Sequence, residues 1–182
     1  MPSNGPNLKI KKVLLTADQI QKRVGEIARQ VNTDYSGQPL HVICVLENGF
    51  QFMTDLVRQL EMPCICQFVR ATTRDKVEAG TATLEIMFTP ESDVAGQNVL
   101  LVETLVQSGV TSEFLIRNLM TRGAKSVKLA VLVDKQAERR ISLQPDYFGF
   151  LMDESFVVGY GLGHDDYGRN LPYIAAVDMD SR

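Results

Sequence analysis

Apolar residues along this chain fall into short continuous runs and into longer runs with helical spacing. The continuous runs predict strands that are buried on both faces of a sheet, and they span residues 41–46, 64–71, 99–102 and 126–133. Apolar positions at helical spacing predict amphipathic helices, in residues 17–31, 50–60 and 113–122. Because the two kinds of segment alternate, the pattern predicts an α/β fold with a mostly parallel central sheet and helices on both faces.

Signals at the borders of these segments refine the prediction. Thr16 and Gln19 predict a capping box at the start of the first helix, and Gly123 predicts the end of the third. Alternating residues predict a further strand at 81–88, and short apolar pieces occupy residues 8–15, 147–151, 156–158 and 173–177. Between two of the strands, residues 72–80 are polar and charged without periodicity, which predicts a mobile segment.

Composition narrows the class of protein. The length of 182 residues, with 45% hydrophobic and 23% charged residues, predicts one globular domain. Pro2, Gly5 and Pro6 predict a flexible segment over about residues 1–9. A net charge of −3 excludes a general nucleic-acid or membrane surface. We expect a cytoplasmic protein, because the three cysteines fit reduced, buried thiols and no apolar run approaches the roughly 18 to 20 residues of a membrane span.

Residues 99–118 hold the arrangement that is most suggestive of chemistry. A buried strand ends in Glu103, a turn of small residues follows at Gln107, Ser108 and Gly109, and Thr111 stands near the start of the next helix. This arrangement directs free backbone N–H groups and the positive end of a helix dipole at one spot, which suits a phosphate. An ordinary strand-to-helix connection with a Thr or Ser N-cap is the alternative.

Three polar clusters follow predicted strands, and in parallel sheets ligands bind at the carboxyl ends of strands. The clusters are residues 47–49, residues 103–111 and the pair Asp134 and Lys135.

Four segments carry a resemblance to a known family: VLENGFQFMTDLVRQL, VLLVETLVQSGVT, VLVDKQAERR with DYFGF behind it, and FVVGYGL followed by YGRNLPYI. With these segments the chain resembles the purine phosphoribosyltransferases of the hypoxanthine-guanine type over about residues 10–177. The resemblance implies the type I phosphoribosyltransferase fold, including a small hood region, and usually a homodimer or homotetramer. It further implies transfer of phosphoribose from phosphoribosyl pyrophosphate to hypoxanthine or guanine with Mg²⁺, a purine salvage reaction that yields IMP or GMP and pyrophosphate.

The resemblance also implies roles for individual residues. The 5′-phosphate would be held by Ser108, Gly109 and Thr111, and the ribose by Glu103 and Thr104. The purine would be read by Lys135 at O6, by the stacking ring of Phe156 and by main-chain groups of Val157. Pyrophosphate would be contacted by Arg169 and by a loop of Glu47, Asn48 and Gly49.

The chain departs from the family pattern where the reaction needs acids and a metal. Thr104 replaces an acid that grips the ribose, and Gln107 replaces the aspartate that acts as general base. A primary amide hydrogen-bonds but does not take up a proton at neutral pH. Gly163 replaces an aspartate that helps to hold Mg²⁺, with Asp165 or Asp166 as alternative ligands nearby.

Two further departures lie in loops. Glu47 and Asn48 stand where the family has a lysine-glycine pair, and a carboxylate there opposes pyrophosphate by like-charge repulsion. Arg74 stands for the tyrosine of the flexible loop.

Two hypotheses therefore follow. The first is a purine phosphoribosyltransferase with weakened activity, and the second is a non-catalytic purine-nucleotide-binding or regulatory protein on the same fold. The sequence does not choose between hypoxanthine and guanine, since Lys135 would read an oxygen that both bases share.

Overall fold

The computed structural model describes residues 9–76, 81–88, 93–153, 156–165 and 167–178. Within these residues the strands and helices follow one another in the order β1 Lys9–Leu15, α1 Ala17–Asp34, β2 Leu40–Leu46, α2 Phe50–Val57, β3 Cys64–Lys76, β4 Thr81–Phe88, β5 Asn98–Val106, α3 Val110–Thr121, β6 Ser126–Asp134, β7 Tyr147–Leu151, β8 Val157–Val158 and β9 Ile174–Asp178. A single 3₁₀ turn, Gln136–Glu138, follows β6.

The central sheet has six strands in the order β4-β3-β2-β5-β6-β7. Strands β3, β2, β5, β6 and β7 run parallel, and β4 is antiparallel to β3. The predicted mostly parallel sheet is confirmed. The strand predicted at 64–71 is longer in the structure, because residues 72–76 continue β3 and pair with β4. The partner strand satisfies their backbone groups, and nothing in a polar sequence reveals such a partner. The mobility expected of 72–80 stays a prediction, and residues 77–80 lie outside the described residues.

Helices cover both faces of this sheet, as predicted. Side chains of β2 alternate between two hydrophobic clusters, with Val42 in one and Ile43 in the other. Helices α1 and α2 fill the first cluster through residues such as Ile27 and Phe52, and α3 fills the second through Leu115. Packing on both faces therefore holds the strands in place, and the carboxyl ends of the parallel strands lie at the same edge of the sheet.

Helix borders agree with the sequence at α1 and differ at α3. The capping box is confirmed, with Thr16 N donating to Gln19 Oε1 at 2.9 Å and Gln19 N to Thr16 Oγ1 at 3.3 Å. Helix α3 begins at Val110 rather than at residue 113, and its N-cap is Gly109 without a side-chain cap hydrogen bond. The alternative of a Thr or Ser N-cap is therefore wrong, and Thr111 lies inside the first turn.

A second sheet, in the order β1-β9-β8, is built from both ends of the chain and forms the hood region. Its strands are antiparallel. Most of β1 is exposed and β8 has only two residues, so only short apolar pieces mark this sheet in the sequence. The predicted flexible segment, residues 1–9, lies outside the described residues apart from Lys9, the first residue of β1. None of the described helices is long and apolar enough to cross a membrane.

Candidate functional site

Two cavities adjoin at the carboxyl ends of the central strands. The hood cavity, of about 280 Å³, is lined by Asn48, Leu105, Gln107, Phe156, Val157, Val158, Leu162, Gly163, His164 and Val177. The loop cavity, of about 220 Å³, lies between the end of β2 and the start of α3, and its lining includes Asn48, Glu103, Leu105, Gln107, Ser108, Gly109 and Thr111. Asn48, Leu105 and Gln107 line both, so the cavities form one continuous site.

The loop cavity faces the N-terminus of α3. Backbone hydrogen bonding within the helix starts with Glu113 N donating to Gly109 O at 2.9 Å, which leaves the preceding N–H groups without intrahelical acceptors. Ser108 Oγ accepts only a long contact, 3.4 Å, from Val110 N. Free N–H groups and the positive end of the helix dipole attract an anion to this cavity.

Gly109 is required in this turn for two reasons. Its φ of +81° is a conformation that side chains rarely adopt, and an added Cβ would lie 3.1 Å from Arg139 Cδ. Arg139 in turn donates from Nη1 to the carbonyl of Gln107 at 3.0 Å and pairs with the buried carboxylate of Asp134. Arg140 N donates to Ser108 O at 3.0 Å. The segment after β6 thus supports the loop from outside, a role for Arg139 that no sequence motif indicates.

Glu103 lies in the wall of the loop cavity with 9% of its surface exposed. Its Oε1 is buried and has no hydrogen-bond partner among the described residues. Burial raises the pKa of this carboxyl to about 7, while a hydrogen bond with Ser112 and the positive charge of Arg139 act in the opposite direction. A ligand hydroxyl donated to Oε1 would satisfy this oxygen.

Thr104 is fully buried, and its hydroxyl donates to the carbonyl of Asn48 at 2.7 Å. It is absent from the described residues that line the two cavities. A Cβ on Gly161 would overlap the same carbonyl of Asn48. Thr104 therefore holds the loop after β2 in place, packed against the turn at Gly161.

Gln107 lies between the two cavities. Its backbone carbonyl is held by Arg139, which leaves the side-chain amide as the group offered to a ligand. This amide donates and accepts hydrogen bonds without exchanging a proton.

Phe156 and Val157 border the hood cavity. Phe156 is 53% exposed, so its side chain is accessible to a flat ligand that could stack on the ring. Lys135 is placed differently, because its side chain is buried and its ammonium donates to Glu138 Oε1 at 3.2 Å. It is not among the described residues that line the hood cavity.

The loop after β2 begins with a cis peptide bond between Leu46 and Glu47. Glu47 pairs with Arg70 at 2.8 Å and with Arg169 at 3.7 Å. Arg169 Nη1 also donates to Asn48 Oδ1 at 2.6 Å and to the carbonyl of Gly161 at 2.8 Å. Arg70 carries no motif, and the sequence offered no signal for its role.

Gly49 closes this loop. An added Cβ would lie 2.8 Å from both Cys44 Sγ and the carbonyl of Val45, so only glycine fits between β2 and α2.

Among the residues that the structure describes, those around Gly163 do not fit a protein-held divalent cation. A Cβ on Gly163 would lie 2.8 Å from Arg169 Cγ and 3.1 Å from Arg169 Cζ, so a guanidinium occupies the neighbouring space. The side chain of Asp165 is 57% exposed and lies 3.8 Å from His164, and Asp166 is outside the described residues. Among the described residues no group of three acidic, histidine or cysteine side chains could hold a metal ion.

The chain is similar to known phosphoribosyltransferases in sequence and in structure. A family model for the phosphoribosyl transferase domain matches residues 12–165. The hypoxanthine-guanine phosphoribosyltransferase of Mycobacterium avium is 37% identical over 175 residues, which cover 93% of this chain and 86% of that protein. A crystal structure of a hypoxanthine-guanine phosphoribosyltransferase from Bacillus anthracis has a TM-score of 0.85 and 33% identity, and covers 93% of this chain and 99% of that one.

A longer relative also matches. The bifunctional protein TilS/HprT of Listeria monocytogenes is 36% identical over 165 residues, which are 91% of this chain. The chain spans only about a quarter (26%) of the length of that protein.

Proposed function

Because this chain belongs to the phosphoribosyl transferase family, we propose that it transfers phosphoribose from phosphoribosyl pyrophosphate to hypoxanthine or guanine, at a reduced rate. The observation that carries the proposal is the junction of the two cavities, which brings a phosphate-binding helix N-terminus next to an exposed aromatic ring. A nucleoside monophosphate has its phosphate and its flat base at opposite ends, and these two cavities match them.

In this proposal each cavity has its own task. Backbone groups at Ser108 and Gly109, with the hydroxyl of Thr111, hold the 5′-phosphate. The free Oε1 of Glu103 accepts a hydrogen bond from a ribose hydroxyl.

The base lies in the hood cavity on the ring of Phe156, beside Val157. Lys135 reads the purine oxygen only after its ammonium turns from Glu138 toward the cavity. Hypoxanthine and guanine share the O6 oxygen that Lys135 would contact, so the proposal includes both bases.

Proton transfer is the weak step. The side chain at 107 is an amide, so the purine proton has to leave without a general base at this position. Loss of general-base catalysis typically lowers a rate by about 10²- to 10⁴-fold. Slow turnover therefore remains compatible with an intact nucleotide site.

Mg²⁺ belongs to this proposal only through the family resemblance. The neighbourhood of Gly163 offers a guanidinium instead of carboxylates, so the described side chains give Mg²⁺ no resident site. Residues of this chain that would act on the departing pyrophosphate are Arg169 and its neighbour Asn48.

A second candidate is a non-catalytic purine-nucleotide-binding or regulatory protein. It is favoured by the contrast within the site, where Ser108, Gly109 and Phe156 line the cavities, whereas Gln107 and Gly163 lack the acids that catalysis would use. Under this candidate the protein binds GMP or IMP without turnover.

A rate assay with matched variants distinguishes the two candidates. Hypoxanthine, guanine and xanthine are each incubated with phosphoribosyl pyrophosphate and Mg²⁺, using the wild type, Gln107→Asp and Gln107→Asn. We expect IMP and GMP to form slowly with the wild type and at least about tenfold faster with Gln107→Asp, because a carboxylate takes up the proton. Gln107→Asn is the control, since it has the same size as aspartate and no basic group.

The outcomes separate cleanly. GMP binding by calorimetry with no product from any variant supports the non-catalytic candidate. Absence of nucleotide binding, with or without Mg²⁺, overturns both. A homodimer or homotetramer and a cytoplasmic location are part of the same proposal, and light scattering of the purified protein tests the oligomer.

A further inference from the structure

One carboxylate and two guanidinium groups form a cluster at the edge of the site. Glu47 Oε1 lies 2.8 Å from Arg70 Nη2, and Glu47 Oε2 lies 3.7 Å from Arg169 Nη2. The exposed fractions of the side chains are 54% for Arg70, 42% for Glu47 and 23% for Arg169. All three therefore remain within reach of a solute. We call them the Arg70–Glu47–Arg169 cluster.

The cluster adjoins the point where the two cavities meet. Asn48, which follows Glu47 in the chain, lines both cavities and accepts a hydrogen bond from Arg169 at 2.6 Å. Arg169 is held further by the carbonyl of Gly161 at 2.8 Å, which aims its guanidinium at this junction. Any anionic group that extends from the junction toward β3 meets the cluster.

The carboxylate of Glu47 takes the place that such an anionic group would need. A guanidinium binds carboxylates and phosphates with the same planar set of N–H donors. The two guanidinium groups thus form an anion-binding site, and the carboxylate of Glu47 already occupies it. An incoming phosphate has either to displace Glu47 or to bind beside a like charge.

We propose that Glu47 competes internally for Arg70 and Arg169, and that it makes the site select nucleoside monophosphates over ligands with a diphosphate group. The inference rests on the proposed function for the position of the monophosphate, at the N-terminus of α3 in the loop cavity, whose described lining includes none of the three cluster residues. A diphosphate, as in pyrophosphate or phosphoribosyl pyrophosphate, would extend to the two arginines. Glu47 thereby makes the affinity for a nucleoside monophosphate higher than the affinity for a diphosphate ligand.

Replacement of the carboxylate by an amide of the same shape tests this. We compare Glu47→Gln with Glu26→Gln, which removes the same charge from an equivalent pair on α1, where Glu26 lies 2.6 Å from Arg23. Calorimetry measures the affinities for inorganic pyrophosphate and for GMP, with and without Mg²⁺. We expect the affinity for pyrophosphate relative to GMP to rise about tenfold in Glu47→Gln, because the competing charge is gone.

Two further results decide the proposal. Glu26→Gln is expected to keep the wild-type ratio of affinities, and addition of Arg70→Gln to Glu47→Gln is expected to remove most of the gain. An unchanged or lower pyrophosphate affinity in Glu47→Gln, or an equal gain in Glu26→Gln, overturns the proposal. The pyrophosphate titration decides it without GMP, whereas failure of the wild type to bind GMP counts against the proposed function instead.

Discussion

Arg169 lies against Gly163 so closely that a Cβ at residue 163 would be 2.8 Å from Arg169 Cγ and 3.0 Å from Arg169 Nε. The two residues are therefore coupled. Glycine at 163 allows the arginine to lie along the turn and to reach Asn48 and Glu47. A carboxylate at 163 and this position of Arg169 exclude each other.

Gly163→Asp tests this coupling. We expect it to lower the free energy of unfolding by about 1–3 kcal/mol, because the new side chain has to push Arg169 out of its hydrogen bonds. The loss should shrink when Arg169→Ala is added, and urea unfolding of both single variants and the double variant measures it. Strictly additive losses would contradict the coupling.

Glu103 predicts a dependence of stability on pH. Its pKa is raised to about 7 in the folded protein from an ordinary value of 4.5, so the folded protein binds an additional proton between these two pH values. Stability therefore falls as the pH rises from about 4.5 to 7, by up to about 3 kcal/mol for this group. Above pH 7 the penalty is complete.

Glu103→Gln isolates this effect, since the amide carries no charge at any pH. We expect the free energy of unfolding of the variant, relative to the wild type, to increase by about 1–3 kcal/mol from pH 5 to pH 8. Urea unfolding at both pH values measures this change. A constant difference between the two proteins across this range would show that the carboxyl ionises with an ordinary pKa.

Gly109→Ala is expected to weaken GMP binding at least about tenfold and to destabilise the protein by about 1–3 kcal/mol. Alanine at φ +81° is strained, and its Cβ presses on Arg139, which supports the loop. Gly37→Ala is the matched control, because Gly37 has a similar φ of +70° with no atom within 4 Å of an added Cβ. Calorimetry and urea unfolding should show a loss of stability in both variants and a loss of GMP binding only in Gly109→Ala. Equal GMP affinity in the two variants would remove the loop from the phosphate site.

Thr104→Val removes the hydroxyl that holds Asn48. The carbonyl of Asn48 then loses a partner 2.7 Å away, which we expect to lower the free energy of unfolding by about 1–3 kcal/mol. Thr104→Ser keeps the hydroxyl and serves as the control in the same thermal and urea measurements. If valine and serine behaved alike, the hydrogen bond would contribute nothing and Thr104 would act through packing alone.

The sequence by itself determined the class of fold, because burial on both faces leaves a strong pattern. The continuous apolar runs of β2, β5 and β6 are shielded from water on both faces only when the sheet lies between two layers of helices. The capping box at Thr16 was equally local, since both partners lie within one turn. The four family segments further identified candidate site residues that lie within the motifs themselves, among them Gly109 and Phe156.

Tertiary structure alone decided which polar side chains remain available to a ligand. Thr104 and Lys135 lie in segments that carry the family resemblance, yet Asn48 and Glu138 hold their polar atoms. Arg70 lies outside the family segments, and Arg139 lies in one that assigned it no role, because both act on residues that are distant in sequence. A hydrogen bond or ion pair depends on which atoms the fold brings within about 3 Å, and a pattern of residue types along the chain does not contain that information.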